Sequence, residues 1–254
     1  MELLSSVILT CAGADTARAS GCGHAVLDLC LGLNEQGSPI RFSLPPPLQK
    51  PRFLGLRDVG HAADSANPAQ VADALVYECS HSGAQGLFAD LETDGRGVRQ
   101  LASALDAAFF HAKLLLFFPA ARAREAQHAV LTYETAVSGG SLRGLFQQAI
   151  TEYGKDRVAA LLRPVCADFQ LPSSTAEGSP LTQEARRALQ QARQAQAFFS
   201  HELCAKYFTY MDEEKQGHFV LFDDDSTIEN KLSCLSRAEV PYLFALYPEV
   251  AHLL

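Results

Sequence analysis

Short runs of apolar and β-branched residues recur along the chain, and stretches in which apolar residues return every three or four positions separate them. The short runs read as strands at 6–11 (SVILTC), 24–31 (HAVLDLCL), 53–57 (FLGLR), 86–91 (GLFADL), 113–118 (KLLLFF), 129–134 (AVLTYE), 157–163 (RVAALLR) and 242–247 (YLFALY). Eight strands alternating with helical segments predict an α/β fold, a compact closed (β/α)8 barrel formed by residues 1–254 as one domain. No internal repeat, low-complexity tract or interdomain linker interrupts the pattern.

Helix starts support the alternation. Asn67-Pro68 supplies a capping side chain and a first-turn proline before AQVADALVYECSHSG, and Ser179-Pro180 does the same before a long polar helix. Ser226 and Glu229 have capping-box spacing before NKLSCLSRA, and the acidic run Asp223, Asp224, Asp225 falls at the start of that helix, where the dipole favours negative charge. SGGSLRG at 138–144 reads as a turn opening a helix, since it lacks both the Walker lysine and the dinucleotide-binding glycine spacing. QKPRF, preceded by Pro45, Pro46 and Pro47, and SSTAEGS at 173–179 read as surface loops. YFTYMDEEKQGHFVLFDD at 207–224 has the alternation and central turn of a β-hairpin inserted before the last helix and strand.

Composition narrows the function classes. With 254 residues, 48% of them hydrophobic, the chain can bury a full core without disulfides or metal. Its 21 Lys and Arg against 29 Asp and Glu give a net charge of −8, which argues against nucleic acid as a partner. The seven cysteines are scattered, odd in number and free of any CxxC pair, so they read as reduced thiols of a reducing compartment. The runs VILTCA and KLLLFFPAA are too short to span a bilayer, and the N-terminus shows neither a basic region nor a long apolar one; no membrane association or signal peptide is expected. The eight histidines include no HxH or HExxH spacing, so neither a metal site nor a cofactor is expected.

In such barrels the chemistry comes from the C-terminal ends of strands. One strand end stands out. In GLFADLE, Asp90 and Glu92 are two residues apart, so strand geometry puts both carboxylates on one face with Phe88. Two like charges that close push one carboxyl's pKa upward and keep it a proton donor near neutral pH. Arg57 and Asp58 end the third strand, where they face the cleft or pair at its rim. Asp168 lies beyond the seventh strand, where it faces the cleft or turns into the loop before Pro172.

GLFADLE resembles the fourth-strand signature of glycoside hydrolase family 18, DGxDxDxE. HAVLDLCLGLNEQGSPIRF, FLGLRDVG, VLTYETAVSGG and RVAALLRPVCADF resemble that family's second, third, sixth and seventh strand segments. YFTYMDEEKQGHFVLFDDDSTIENKLSCLSRAEVPYLFALYPE is similar to the C-terminal stretch of its bacterial spore-germination and cortex-lytic branch. The resemblance implies a carbohydrate partner and substrate-assisted, retaining hydrolysis of a β-linked N-acetylhexosamine polymer, peptidoglycan or chitin fragments. By the same resemblance Glu92 is the acid, Asp90 orients the substrate acetamide, and Tyr133 donates a hydrogen bond to the acetamide carbonyl. Glu134 stands where the family has Asp, and Tyr247 where it has a sugar-stacking Trp; Asp168 and Arg57 complete the candidate binding set. A location in the cytoplasm or with the spore follows.

The departures define an alternative. Gln85 and Phe88 replace the first two acids of DGxDxDxE, and the chain has no Trp. The connections also read as too short for the α+β insertion that walls the cleft of processive chitinases, which predicts a shallow, open groove. A barrel that keeps the fold and binds sugar without turnover, as a carbohydrate-binding or structural module, is the second expectation.

Overall fold

A computed structural model describes residues 7–12, 15–21, 23–42, 52–172 and 178–253. The expected loop around Pro45–Pro47, residues 173–177 of the second loop, and Cys22 lie outside the described residues. Eight strands, β1 (Val7–Cys11), β2 (Val26–Leu33), β3 (Arg52–Leu56), β4 (Gly86–Ala89), β5 (Leu115–Pro119), β6 (Val130–Glu134), β7 (Val158–Leu162) and β8 (Tyr242–Leu246), pair in parallel. The ladder runs from β1 through β2 to β8 in chain order, and β8 pairs back onto β1, for example Ile8 with Phe244, so the barrel closes.

The alternation of side chains builds its two cores. Ile8, Leu27, Phe53, Phe88, Phe117, Val130, Ala159 and Phe244, one from each strand, fill the interior. Phe53, Phe88 and Phe117 surround Phe244 in edge-on contacts, with centroids 6.2, 5.4 and 4.9 Å away. Phe88 therefore occupies space that an acidic residue would have to enter without water, and such edge-on pairs each add about 0.5–1.5 kcal/mol beyond area burial. The intervening residues, such as Leu54, Leu87 and Leu131, face the surrounding helices.

Helices α1 (Asp15–Gly21), α2 (Pro68–Ser82), α3 (Arg96–Ala112) and α4 (Leu142–Tyr153) follow strands of the barrel. As expected, the Asn67 side chain caps α2 by accepting from the Gln70 N–H at 3.3 Å, with Pro68 in the first turn. Gly83 ends it at φ 68°, a conformation that suits a residue without Cβ. Ser141 caps α4, so SGGSLRG does open a helix.

Between β7 and the last barrel helix, α6 (Asp225–Arg237), lies more than a hairpin. Strands Cys166–Leu171, Ser179–Pro180, Phe198–Ser200, Ala205–Met211 and Gly217–Phe222 form an antiparallel five-stranded sheet, with helix α5 (Gln183–Ala192) on one face. The expected hairpin is its centre, but the expectation of a barrel without an α+β insertion is overturned. Cys166–Leu171 follows β7 after only three residues, so in sequence it merges with the seventh strand. Ser179-Pro180 is a strand of this sheet, and α5 is capped instead by Thr182, which accepts from Ala185 N–H.

The start of α6 also differs from the expected Ser226/Glu229 box. Asp224 is the cap, and its box partner is Thr227, whose hydroxyl accepts from the Asp224 N–H at 2.9 Å. A carboxylate at the helix dipole takes the capping place, and Ser226 donates to it at 2.7 Å. Asp223, fully buried, accepts from Val165 N–H, Thr227 Oγ1 and Lys231 Nζ at 2.7, 2.7 and 2.5 Å. This buried pair ties α6 to the segment between β7 and the inserted sheet.

Candidate active site

The mouth at the C-terminal ends of the strands gathers the charged residues. Asp90 lies one position beyond β4, and its N–H donates to the Leu56 carbonyl at 2.8 Å, extending the ladder past the strand end. Strand parity then places its side chain above Phe88, on the barrel axis side. The carboxyl is half-buried, and its pKa is pushed up to about 6, first by burial, then by the charges of Glu92, Asp58 and Glu134, while Arg163 opposes the rise. The expectation that one carboxyl of the pair is raised thus falls on Asp90.

Glu92 is exposed, on a short loop pinned on both sides. Asp58 accepts from the Thr93 N–H at 3.4 Å and from the Thr93 hydroxyl. Asp94 pairs with Arg99 at 2.7 Å and Arg122 at 3.4 Å. The reading of Asp58 as an ion-pair partner of Arg57 gives way to this contact. Arg57 instead lies over the ring of Phe42, 5.1 Å from its centroid, and donates from Nε to the Leu29 carbonyl at 3.3 Å.

Glu134 shares the inward side of β6 with Val130 and pairs with Arg163 at 3.2 Å. Arg163, just past β7, is held by its backbone: its N–H donates to Thr135 Oγ1 at 3.0 Å. Glu249, on the helical turn Tyr247–Val250, feels Arg163 and Glu134, and burial raises its pKa. Sequence reasoning misses both Arg163 and Glu249. A basic residue ending RVAALLR is the available signal for the first; the second lies past a strand that reads as ending at Tyr247.

Three expected site residues face elsewhere. Tyr133 follows the outward parity of Leu131: its ring meets Phe146 of α4 at 6.2 Å, and burial, with Tyr153 and Glu152 nearby, pushes its hydroxyl up to about 12. It cannot reach the mouth from the helix layer. Tyr247 packs on the outer cluster of Val7, Leu9 and their neighbours, because Leu246 takes the inward place at that level. Asp168 lies in the inserted sheet on the α5 side, neither at the mouth nor in a loop. There it accepts from the Tyr210 hydroxyl at 2.7 Å and contacts His218 Nδ1 at 3.0 Å. Among the described residues, no group of three His, Cys, Asp or Glu is placed to hold a metal, and no helix is long and apolar enough to cross a membrane.

The sequence matches no family model and no curated protein. Solved structures do match its fold. The spore cortex-lytic enzyme SleL of Bacillus cereus is 12% identical, with 95% of this chain and 70% of that one covered at a TM-score of 0.62. A chitinase from Chromobacterium violaceum is 14% identical, covering 94% and 93% at a TM-score of 0.61. A class V chitinase from Nicotiana tobaccum, a point mutant in complex with NAG4, is 12% identical, covering 94% and 92% at a TM-score of 0.57. At these identities the shared property is the fold, a closed (β/α)8 barrel with chitinases and cortex-lytic enzymes among its structural neighbours.

Proposed function

We propose that this protein is a glycosidase acting on β-linked N-acetylhexosamine polymers, peptidoglycan or chitin fragments, by acetamide-assisted retaining hydrolysis. The observation that carries the reading is the Asp90–Glu92 pair at the mouth of a barrel shared with chitinases and cortex-lytic enzymes. Glu92 protonates the glycosidic oxygen as the acetamide oxygen attacks the anomeric carbon, and the glycosidic bond breaks to leave an oxazolinium. Asp90 orients the acetamide and stabilises that positive charge. Water then attacks the anomeric carbon, Glu92 takes its proton, and the retained hemiacetal leaves. Glu134, held by Arg163, and Arg57 beside the exposed Phe42 line the path of the sugar chain.

A second reading, a barrel that binds the glycan without turnover, draws on Phe88 in the interior and on Tyr133 in the helix layer. Turnover of a chitotrioside conjugate by the wild type, abolished in Glu92→Gln with binding kept, supports the hydrolase. Binding without turnover in both proteins supports the module. An association with the spore belongs to the same proposal, supported by the fold shared with SleL and with a Bacillus subtilis sporulation-specific glycosylase.

A further inference from the structure

A cavity of about 370 Å³ opens on the flank of the barrel, where the inserted segment meets α4 and α6, and shares no lining residue with the mouth. Its lining includes Arg143 from α4, Arg237 from the last turn of α6 and His201 from the insertion, but no Asp or Glu. Among the described residues neither arginine has an ion-pair partner, although the chain carries a net charge of −8. Arg143 stands in the first turn of α4, where the helix dipole disfavours a cation. Two cysteines line the same cavity. Cys204, which precedes the strand Ala205–Met211, and Cys234 of α6 are half-buried and hydrogen-bonded to each other through their side chains. Cys204 has φ 51°, a left-handed conformation uncommon for a residue with a Cβ, and its Sγ donates to the His201 carbonyl at 3.6 Å. By contrast, Cys11, Cys30 and Cys79 are buried, and half-buried Cys166 lies in the strand Cys166–Leu171, outside the cavity lining.

We propose that Cys204 and Cys234 are a redox-active pair that forms a disulfide by exchange with a small anionic disulfide of the oxidised glutathione class, drawn into the cavity by Arg143 and Arg237. One thiol loses its proton and attacks a sulfur of the incoming disulfide; that S–S bond breaks, and the small thiolate that leaves takes up a proton. The second thiol then loses its proton and attacks the protein sulfur of the mixed disulfide, which forms the Sγ–Sγ bond and releases the second small thiol. Two protein thiols are oxidised, and one small disulfide is reduced to two thiols. The carboxylates of such a molecule meet guanidinium groups that have no acid of their own in the cavity. The new bond ties the inserted segment to α6 one turn beyond Lys231, beside the buried Lys231–Asp223 pair. This chemistry is independent of the barrel mouth.

The test incubates the reduced full chain, below its melting temperature, with oxidised glutathione, traps the remaining thiols with iodoacetamide and maps the peptides by mass. We expect a disulfide joining Cys204 to Cys234, reversed by reduced glutathione, and two fewer alkylated cysteines than in the untreated chain. Cys204→Ser and Cys234→Ser, each shown by thermal melts to be folded, should hold the remaining cysteine as a mixed disulfide with glutathione and form no internal bond. Hydroxyethyl disulfide, which is neutral, reads the anionic preference: Arg143→Gln combined with Arg237→Gln should slow oxidation by oxidised glutathione about tenfold and leave oxidation by hydroxyethyl disulfide unchanged. Absence of a Cys204–Cys234 bond with either disulfide, or a bond joining other cysteines in the folded chain, overturns the pair. Oxidation by glutathione at the same rate before and after the arginine substitutions overturns the role of the cavity in drawing the disulfide in.

Discussion

Tyr133 and Glu134 are neighbours in the chain and face opposite sides of the barrel wall. The tyrosine ring meets Phe146 of α4, whereas the glutamate pairs with Arg163 at the mouth. The alternation of β6 decides both, with Leu131 among the helices and Val130 in the interior. Tyr133→Phe is therefore expected to leave kcat and KM of any glycosidase activity within about twofold, because only a hydroxyl remote from the mouth is lost. A fall of about a hundredfold in kcat would return Tyr133 to the site.

Asp90 makes the fold's stability depend on pH. Its carboxyl is raised from 3.8 in the unfolded chain to about 6 in the folded one, so between these values the folded state holds more of the proton. Its contribution to stability is least unfavourable below pH 4 and falls as pH rises to about 6. Asp90→Asn removes the penalty. The mutant should be more stable than the wild type above pH 6 by on the order of 2 kcal/mol, a figure reduced for the screening that a half-buried carboxyl receives, with the gap closing towards pH 4. It should be inactive throughout. Urea titrations at pH values from about 4 to about 7 measure this; a gap that does not change with pH would show that Asp90 is not held in its raised state.

Phe88 replaces an acid of the family signature, and the interior explains what that acid would meet. Phe88→Asp removes one ring from the cluster around Phe244 and puts a carboxylate among the apolar side chains of Ile8, Phe53, Phe117 and Phe244. A loss of about 3–5 kcal/mol follows from the cavity alone, and the unpaired charge adds to it. Restoring the acid should lower the melting temperature without raising activity. Enhanced turnover in a stable mutant would mean that the interior accommodates an acid beneath Asp90.

The Lys231–Asp223 pair, both side chains about 1% exposed, fastens the inserted sheet to the last barrel helix. Lys231→Ala strands the buried carboxylate and should cost about 3–5 kcal/mol. Hydrogen exchange at the Val165 amide, which donates to the same carboxylate, should accelerate with it. Unaltered exchange at Val165 would disconnect the pair from the junction.

Strands and interior are legible in the sequence because each barrel strand carries its own apolar run and most are separated by helical segments with a different period. The strand at Gly86 is legible, but it ends at Ala89, so Asp90 and Glu92 lie on the loop beyond it, where strand alternation does not fix Glu92. What escapes the sequence is set by residues distant along the chain. The strand Cys166–Leu171 exists because Gly217–Phe222 pairs with it across some fifty positions. Tyr247 resembles a cleft aromatic by its place after the last strand, but a register in which Leu246 pairs with Thr10 turns it outward. Glu249 gains its place from the turn that follows, which no local pattern marks.

The central claim, acetamide-assisted hydrolysis by Glu92 and Asp90, is tested most directly by fluorophore release from a chitotrioside conjugate by wild type and Glu92→Gln, with oligosaccharide binding followed in the same samples. We predict release by the wild type, a fall of at least about a hundredfold in Glu92→Gln, and unchanged binding in both. Release that survives the substitution, or binding with no release by the wild type, would contradict it.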